Sequence, residues 1–226
     1  MFSQKVVNNL KNSSGIRAMF EEGERMRKIH GAKNVFDFTL GNPDMEPPIQ
    51  VRDAIKKYVC DDVEGIHKYM NNAGYMDVRE KVAASLTKET GVELKADNIV
   101  MTCGAAGGLN IVLKSILNPD EEVIVFAPYF VEYSFYIDNH GGKTVVVKPV
   151  TDTLEPDVDD LKSKITKNTK AIIINSPNNP TGIIYKEETL IKIAEILKEK
   201  QSEFGTEIYV ISDEPYNKLV YDGVKL

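Results

Sequence analysis

Two apolar runs, Ala171-Ile-Ile-Ile174 and Ile208-Tyr-Val-Ile211, constrain the fold more than any other stretch. Each is short, rich in β-branched residues and bounded by turn formers, as a buried strand is. Between them Leu190, Ile193, Ala194 and Leu197 recur at i, i+3, i+4 and i+7, which predicts a helix. Strand, loop, helix and strand make a β-loop-α-β unit, and open α/β sheets bind ligands beyond the carboxyl ends of their strands. Asn175-Ser-Pro-Asn-Asn-Pro-Thr-Gly182 leaves the first strand and Ser212-Asp-Glu-Pro-Tyr216 leaves the second. An amide (Asn179), a carboxylate (Asp213) and a phenol (Tyr216) are therefore expected at one crevice, a place for a cofactor.

The 226 residues, 42% of them hydrophobic, suffice for one large domain or parts of two. A formal net charge of −6 and a pI near 5.3 argue against a nucleic-acid binder, which carries a basic stripe. No run of 18 apolar residues predicts a membrane span, and Met1-Phe-Ser-Gln-Lys5 lacks the apolar core of a signal peptide. Cys60 and Cys103 read as buried free thiols of a reducing compartment, and His30, His67 and His140 show no metal-ligand spacing. The expectation is a soluble, cytoplasmic α/β protein without a metal.

Along the chain, Ile16, Met19, Phe20 and Gly23 mark one face of a first helix, with Ser13 and Ser14 as cap candidates. Val35-Phe-Asp-Phe-Thr-Leu40 alternates like a short strand and runs into the turn cluster Gly41-Asn-Pro-Asp44. Pro47-Pro48 precede a helix with an apolar face of Val51, Ala54, Ile55, Tyr58 and Val59. Lys68 to Gly74 is polar and turn-rich, and a helix from about Met76 ends at Gly91. Asn98-Ile-Val-Met-Thr102 reads as the first strand of a large domain, followed by Cys103-Gly-Ala-Ala-Gly-Gly108 and a helix bearing Leu109, Val112, Leu113, Ile116 and Leu117. Strands are expected at Glu122–Phe126 and Thr144–Lys148, a helix between them from about Val131 to Asn139, and a short helical segment from Asp157 to Ile165. Such alternation predicts a mostly parallel sheet covered on both faces. No closing helix follows Lys225, so the fold is expected to be cut rather than finished.

Gly104-Ala-Ala106 lies where a strand meets a helix N-terminus, and small residues there let unpaired amides approach an anion. An ordinary tight turn explains the same residues. Phe130, in Pro128-Tyr-Phe-Val-Glu-Tyr133, follows a strand and is placed either to stack on a planar ligand, worth about 1 kcal/mol beyond burial, or simply to cover the sheet edge. Pro180 and Gly182 are explained by a turn alone, whereas the two asparagines before Pro180 are not. A carboxylate ending a buried strand needs a partner; for Asp213 a cationic ring nitrogen or a helix N-terminus would serve.

In this order and spacing, Gly104-Ala-Ala106, Pro128-Tyr-Phe130, Asn179-Pro-Thr-Gly182 and Asp213-Glu-Pro-Tyr216 resemble a pyridoxal-phosphate-dependent aminotransferase of class I/II, fold type I. Gly41-Asn-Pro-Asp44 with Pro47-Pro48 is similar to the family's substrate loop, and Tyr69 with Gly74 and Arg79 to its tyrosine segment. The resemblance covers essentially the whole chain. It implies a three-layer αβα large domain with a mostly parallel sheet, truncated here. Residues 1–45 would be an N-terminal arm and the start of a small domain, and 46–226 a pyridoxal 5'-phosphate-binding large domain incomplete at its C-terminal end.

By the same resemblance, Asp213 pairs with the pyridinium N–H, Tyr216 and Asn179 hydrogen-bond the ring's phenolic oxygen, and Phe130 stacks on the ring. Amides of Gly104, Ala105 and Ala106 hold the phosphate, although relatives often place a hydroxyl where this chain has Ala105 and Ala106. Tyr69 reaches the cofactor of a neighbouring subunit in a homodimer, while Gly41 and Asn179 meet the substrate. The family's cofactor-bearing lysine follows in a Ser-x-Ser-Lys setting that this chain lacks, since only Lys218 and Lys225 come after Tyr216. No catalytic residue is therefore assigned. The implied activity of the parent enzyme is transfer of an amino group from an amino acid to a 2-oxo acid, the 226 residues alone being inactive. A β-lyase or eliminase of the same fold, or a non-catalytic cofactor-binding regulatory domain, is the alternative.

Overall fold

The computed structural model describes residues 2–12, 14–36, 38, 41, 45–61, 64–221 and 223. They fall into two compact units, Met1–Lys68 and Tyr69–Leu226.

The first unit holds helices α1 (Gln4–Asn12), α2 (Ser14–His30) and α3 (Ile49–Cys60). Helix α2 is the one expected from the Ile16–Gly23 periodicity; α1 was not expected, because its short pattern of Val6, Val7 and Leu10 among polar residues carries little signal. Ser13 lies outside the described residues. Half of the strand expected over 35–40 (residues 37, 39 and 40) lies outside them as well, and among the described residues Val35, Phe36 and Phe38 join no strand, both phenylalanines being exposed. The apolar face of α3 forms as expected, but within its unit Val51, Ile55, Tyr58 and Val59 are exposed. Cys60, at the end of that uncovered helix, is exposed rather than buried.

The second unit is built on a four-stranded, wholly parallel sheet of β1 (Glu122–Phe126), β2 (Lys143–Val147), β3 (Thr169–Asn175) and β4 (Tyr209–Asp213), in the order β2-β1-β3-β4. Helices α4 (Met76–Thr90), α5 (Gly104–Ile116), α6 (Glu132–Asn139), α7 (Val158–Lys164) and α8 (Glu187–Phe204) accompany it. Side chains alternate across a strand, and along β1 and β3 both faces are buried. Ile124, Phe126, Ile172 and Ile208 meet Leu161 of α7 and Ile193 and Leu197 of α8. On the other face Val123, Val125, Ala171 and Ile173 meet Leu109 and Leu113 of α5 and Tyr133 and Ile137 of α6. This double burial is why β1 and β3 read as continuous apolar runs. The three-layer α/β architecture expected from the sequence is the one observed.

One expected strand is absent. Residues 96–98 form a single 3-10 turn, and the backbone from Ile99 to Thr102 joins no sheet among the described residues. Its extended backbone, as at Ile99, makes other bonds: Met101 N–H donates to Ala73 O at 2.9 Å, and Ile99 O accepts from Arg79 Nε at 2.9 Å. Arg79 also gives Nη2 to Ala96 O at 2.7 Å and pairs with Asp97 Oδ1 at 3.4 Å, so its buried guanidinium is held by neighbouring carbonyls and a carboxylate. Gly74 makes this packing fit. Its φ is +101°, and a Cβ there would sit 2.6 Å from Met101 Cγ. Gly74→Ala is expected to destabilise the fold by about 2–4 kcal/mol, from strain plus overpacking, read as a lowered urea midpoint. An unchanged midpoint would show that Met101 moves freely.

Tyr185 is buried against Phe126, ring edge to ring face at 6.3 Å. Burial, and next the negative charge of Glu155, push its phenol up to about 12. The folded state thus holds this proton more tightly than the unfolded chain, whose phenol titrates near 10. The associated stability is complete below pH 10 and is lost as pH rises through about 12. Tyr185→Phe should therefore lose less stability than the wild type between those values in urea titrations at each pH; parallel losses would contradict this.

Candidate functional site

The carboxyl ends of β3 and β4 lie side by side, with Asn175 opposite Asp213. Asn175 locks the two: its Nδ2 donates to Asp213 O at 2.8 Å, and its Oδ1 accepts Asn179 N–H at 2.7 Å. The loop after β3 is thereby keyed to the end of β4. Asn178 closes the turn, accepting the Thr181 hydroxyl at 2.7 Å, while Gly182 N–H returns to Asn178 O. Asn179 is left facing the next loop, where its Nδ2 donates to Tyr216 Oη at 3.3 Å. Asn179 and Tyr216 therefore meet, and Asn175 ties the Asn179 loop to the end of the strand that carries Asp213.

Asp213 follows Ile211 by two residues, so its side chain shares the face on which Ile211 packs with α5 and α6. There Tyr133 Oη donates to Asp213 Oδ2 at 2.5 Å. Tyr133 is 2% exposed, and its ring stands edge-on to Phe130, with centroids 5.6 Å apart. Burial first, and then the bond to the Asp213 carboxylate and its charge, hold the phenol far above its ordinary range, so it stays a donor. Among the described residues Asp213 Oδ1 accepts no hydrogen bond. The sequence reading placed Tyr133 at the sheet edge without a role. Its spacing three residues beyond Phe130, at the start of a helix, is the signal that puts both rings on one side.

Helix α5 supplies the other end. Residues 117–121 return its C-terminus to the amino end of β1, and its 13 residues span about 20 Å. Its N-terminus therefore opens at the carboxyl edge of the sheet, on the face shared by Asp213 and Tyr133. Gly104 has φ +73°, a conformation that favours glycine, and no side chain caps the helix. Gly104 N–H donates to Thr102 O at 3.0 Å, whereas the amides of Ala105 and Ala106 meet no acceptor among the described residues. Two of the three expected amides are thus open to an anion. Cys103, in the turn before α5, is exposed and not buried as expected, since only α5 residues further along reach the core.

Tyr69 is fully exposed, with no hydrogen bond among the described residues. Gly41 belongs to the first unit, where a Cβ would meet nothing within 4 Å. Lys218 forms an ion pair with Glu89 at 2.5 Å. Lys225 lies outside the described residues. A cavity of about 430 Å³ beside α4, lined by Met76, Glu80, Leu94 and Asp97, shares no residue with this site. Among the described residues there is no cluster of three potential metal ligands, and no helix is long and apolar enough to cross a membrane.

Residues 33–225 match the family model described as aminotransferase class I and II. A probable aspartate/prephenate aminotransferase of Aquifex aeolicus is 39% identical over 193 residues, 85% of this chain and 47% of that protein. An aspartate aminotransferase of Pyrococcus horikoshii is 34% identical over 94% of this chain and 51% of its own length. Among solved structures, an amino transferase from Eubacterium rectale superposes with a TM-score of 0.92 at 38% identity, covering all of this chain and 57% of that one. The aspartate aminotransferase of Thermus thermophilus with maleate gives 0.79 at 31% identity, over 94% and 53%. The chain thus spans about half the length of the curated relatives it matches.

Proposed function

Because the chain belongs to the class I and II aminotransferase family, whose cofactor is pyridoxal 5'-phosphate, we propose that it forms the cofactor-binding part of an enzyme that moves an amino group from an amino acid to a 2-oxo acid. When bound, the cofactor supplies a cationic ring that absorbs the charge left on the amino acid's α-carbon. The observation that carries this reading is the split use of Asp213: Oδ2 is bound by Tyr133, and Oδ1 is left open on the face where two α5 amides are also open.

These residues fit the group. Asp213 Oδ1 would accept the ring N–H. Asn179 Nδ2 and Tyr216 Oη, already paired at 3.3 Å, would serve the phenolic oxygen. Phe130 would cover the ring, and the amides of Ala105 and Ala106 would hold the phosphate with the helix dipole behind them. Asn179 would also face the substrate, and the exposed Tyr69 would reach the site of a second subunit. Relatives named aspartate aminotransferase make aspartate the first amino donor to assay.

Two experiments test this. In equilibrium dialysis the chain should retain pyridoxal 5'-phosphate and release pyridoxal, which lacks the phosphate; equal retention of both would refute the amide site. Borohydride treatment of the mixture should leave no adduct at Lys218, whose amine is engaged by Glu89. A stoichiometric adduct there, found by peptide mass mapping, would make Lys218 the reactive amine.

A further inference from the structure

We propose that Tyr133 is a positioning residue for the cofactor: its buried hydroxyl fixes Asp213 Oδ2 and so presents Oδ1 to the ring nitrogen. This rests on the pairing of Asp213 with that nitrogen proposed above.

Asp213 is the last residue of β4, and β4 lies at one side of the four-stranded sheet. Its backbone is held on one flank by Asn175, but its carboxylate has two rotatable bonds and is only half-buried. Among the described residues one side-chain donor reaches it, Tyr133 Oη at 2.5 Å. A charge-assisted bond of this length is stronger and more directional than one between neutral groups. Tyr133 suits the task because it is packed on all sides. It is 2% exposed, sits in the first turn of α6, packs in one cluster with Ile137 and Leu113, and is braced by the Phe130 ring at 83°. The rigid core therefore sets the carboxylate through a single contact. The same contact links the ring-covering residue Phe130 to the ring-nitrogen residue Asp213, so both are referenced to one helix start.

The test compares two ligands, pyridoxal 5'-phosphate and its analogue with carbon in place of the ring nitrogen, bound by the wild type and by Tyr133→Phe. The wild type should prefer the natural cofactor. Tyr133→Phe keeps the ring's packing and should weaken the natural cofactor by about tenfold, leaving the analogue within about twofold. Equal weakening of both ligands would reduce Tyr133 to a packing residue, and no weakening of either would remove it from the site. A wild type that binds both equally overturns the ring-nitrogen pairing itself, and the role of Tyr133 with it. A readout without ligand is the Tyr133 hydroxyl proton in NMR spectra, expected as a slowly exchanging downfield resonance that Tyr133→Phe deletes and Asp213→Asn moves. Absence of that resonance in the wild type counts against the contact. Should Tyr133→Phe fail to fold, 3-fluorotyrosine at 133 alters donor strength at nearly constant volume. The preference between the two ligands should then change, and an unchanged ratio overturns the proposal.

Discussion

Asp213→Ala is expected to weaken binding of pyridoxal 5'-phosphate by roughly 30- to 1000-fold, the effect of removing one partner of a desolvated, hydrogen-bonded charge pair, about 2–4 kcal/mol. The carboxylate is half-buried, bonded on one oxygen by Tyr133 and open on the other, so truncation removes the acceptor and its charge together. Asp213→Asn separates the two contributions, because it keeps the shape and loses the charge; most of the affinity should go with the charge. Asp213→Ala also leaves the buried Tyr133 hydroxyl without its acceptor, which costs about 1–3 kcal/mol of stability, whereas the amide oxygen in Asp213→Asn still accepts it. Fluorescence titration below each variant's unfolding temperature keeps that cost separate. Unchanged affinity in both variants would remove Asp213 from the site.

The second large effect is expected at Leu113, which is wholly buried under α5 against the sheet. Leu113→Ala leaves a cavity in a close-packed layer and should destabilise the second unit by about 3–5 kcal/mol. Ile111, on the same helix but about half exposed, should change stability by under roughly 0.5 kcal/mol when cut to alanine. The contrast, read from urea midpoints, tests whether the buried face of α5 anchors the turn that carries Ala105 and Ala106. Similar small losses at both positions would show α5 to be loosely held.

Much of this was legible because buried parallel strands leave an unambiguous pattern. Ile172 and Ile173 point to opposite faces, both dry, so the run at 171–174 has few other uses. The segment at 98–102 carries a similar run but joins no ladder; composition reports extended backbone and burial, whereas pairing depends on a neighbour elsewhere in the chain. Ile99 is buried, while Val100 and Met101 are exposed. The cysteines misled for a related reason, since residue type sets only an average burial, and Cys103 sits in a turn that a core helix leaves outside. At the site, Asn179, Asp213 and Tyr216 were readable from their place after strands. Tyr133 was not: its spacing from Phe130 puts both rings on one side, but its contact with Asp213 spans 80 residues and no local pattern gives that partner. Asn175 was hidden for the opposite reason: it stood in full view as a turn residue, but its bonds to both loops exist only once β3 and β4 are paired.

The most direct measurement is a titration of the isotopically labelled chain with pyridoxal 5'-phosphate, following backbone amide resonances. Ala105 and Ala106 at one end, and Ser212 and Asp213 at the other, should shift together along one binding curve with a single dissociation constant. Shifts confined to the α5 turn would reveal a simple anion site, and shifts at neither end would contradict the cofactor site altogether.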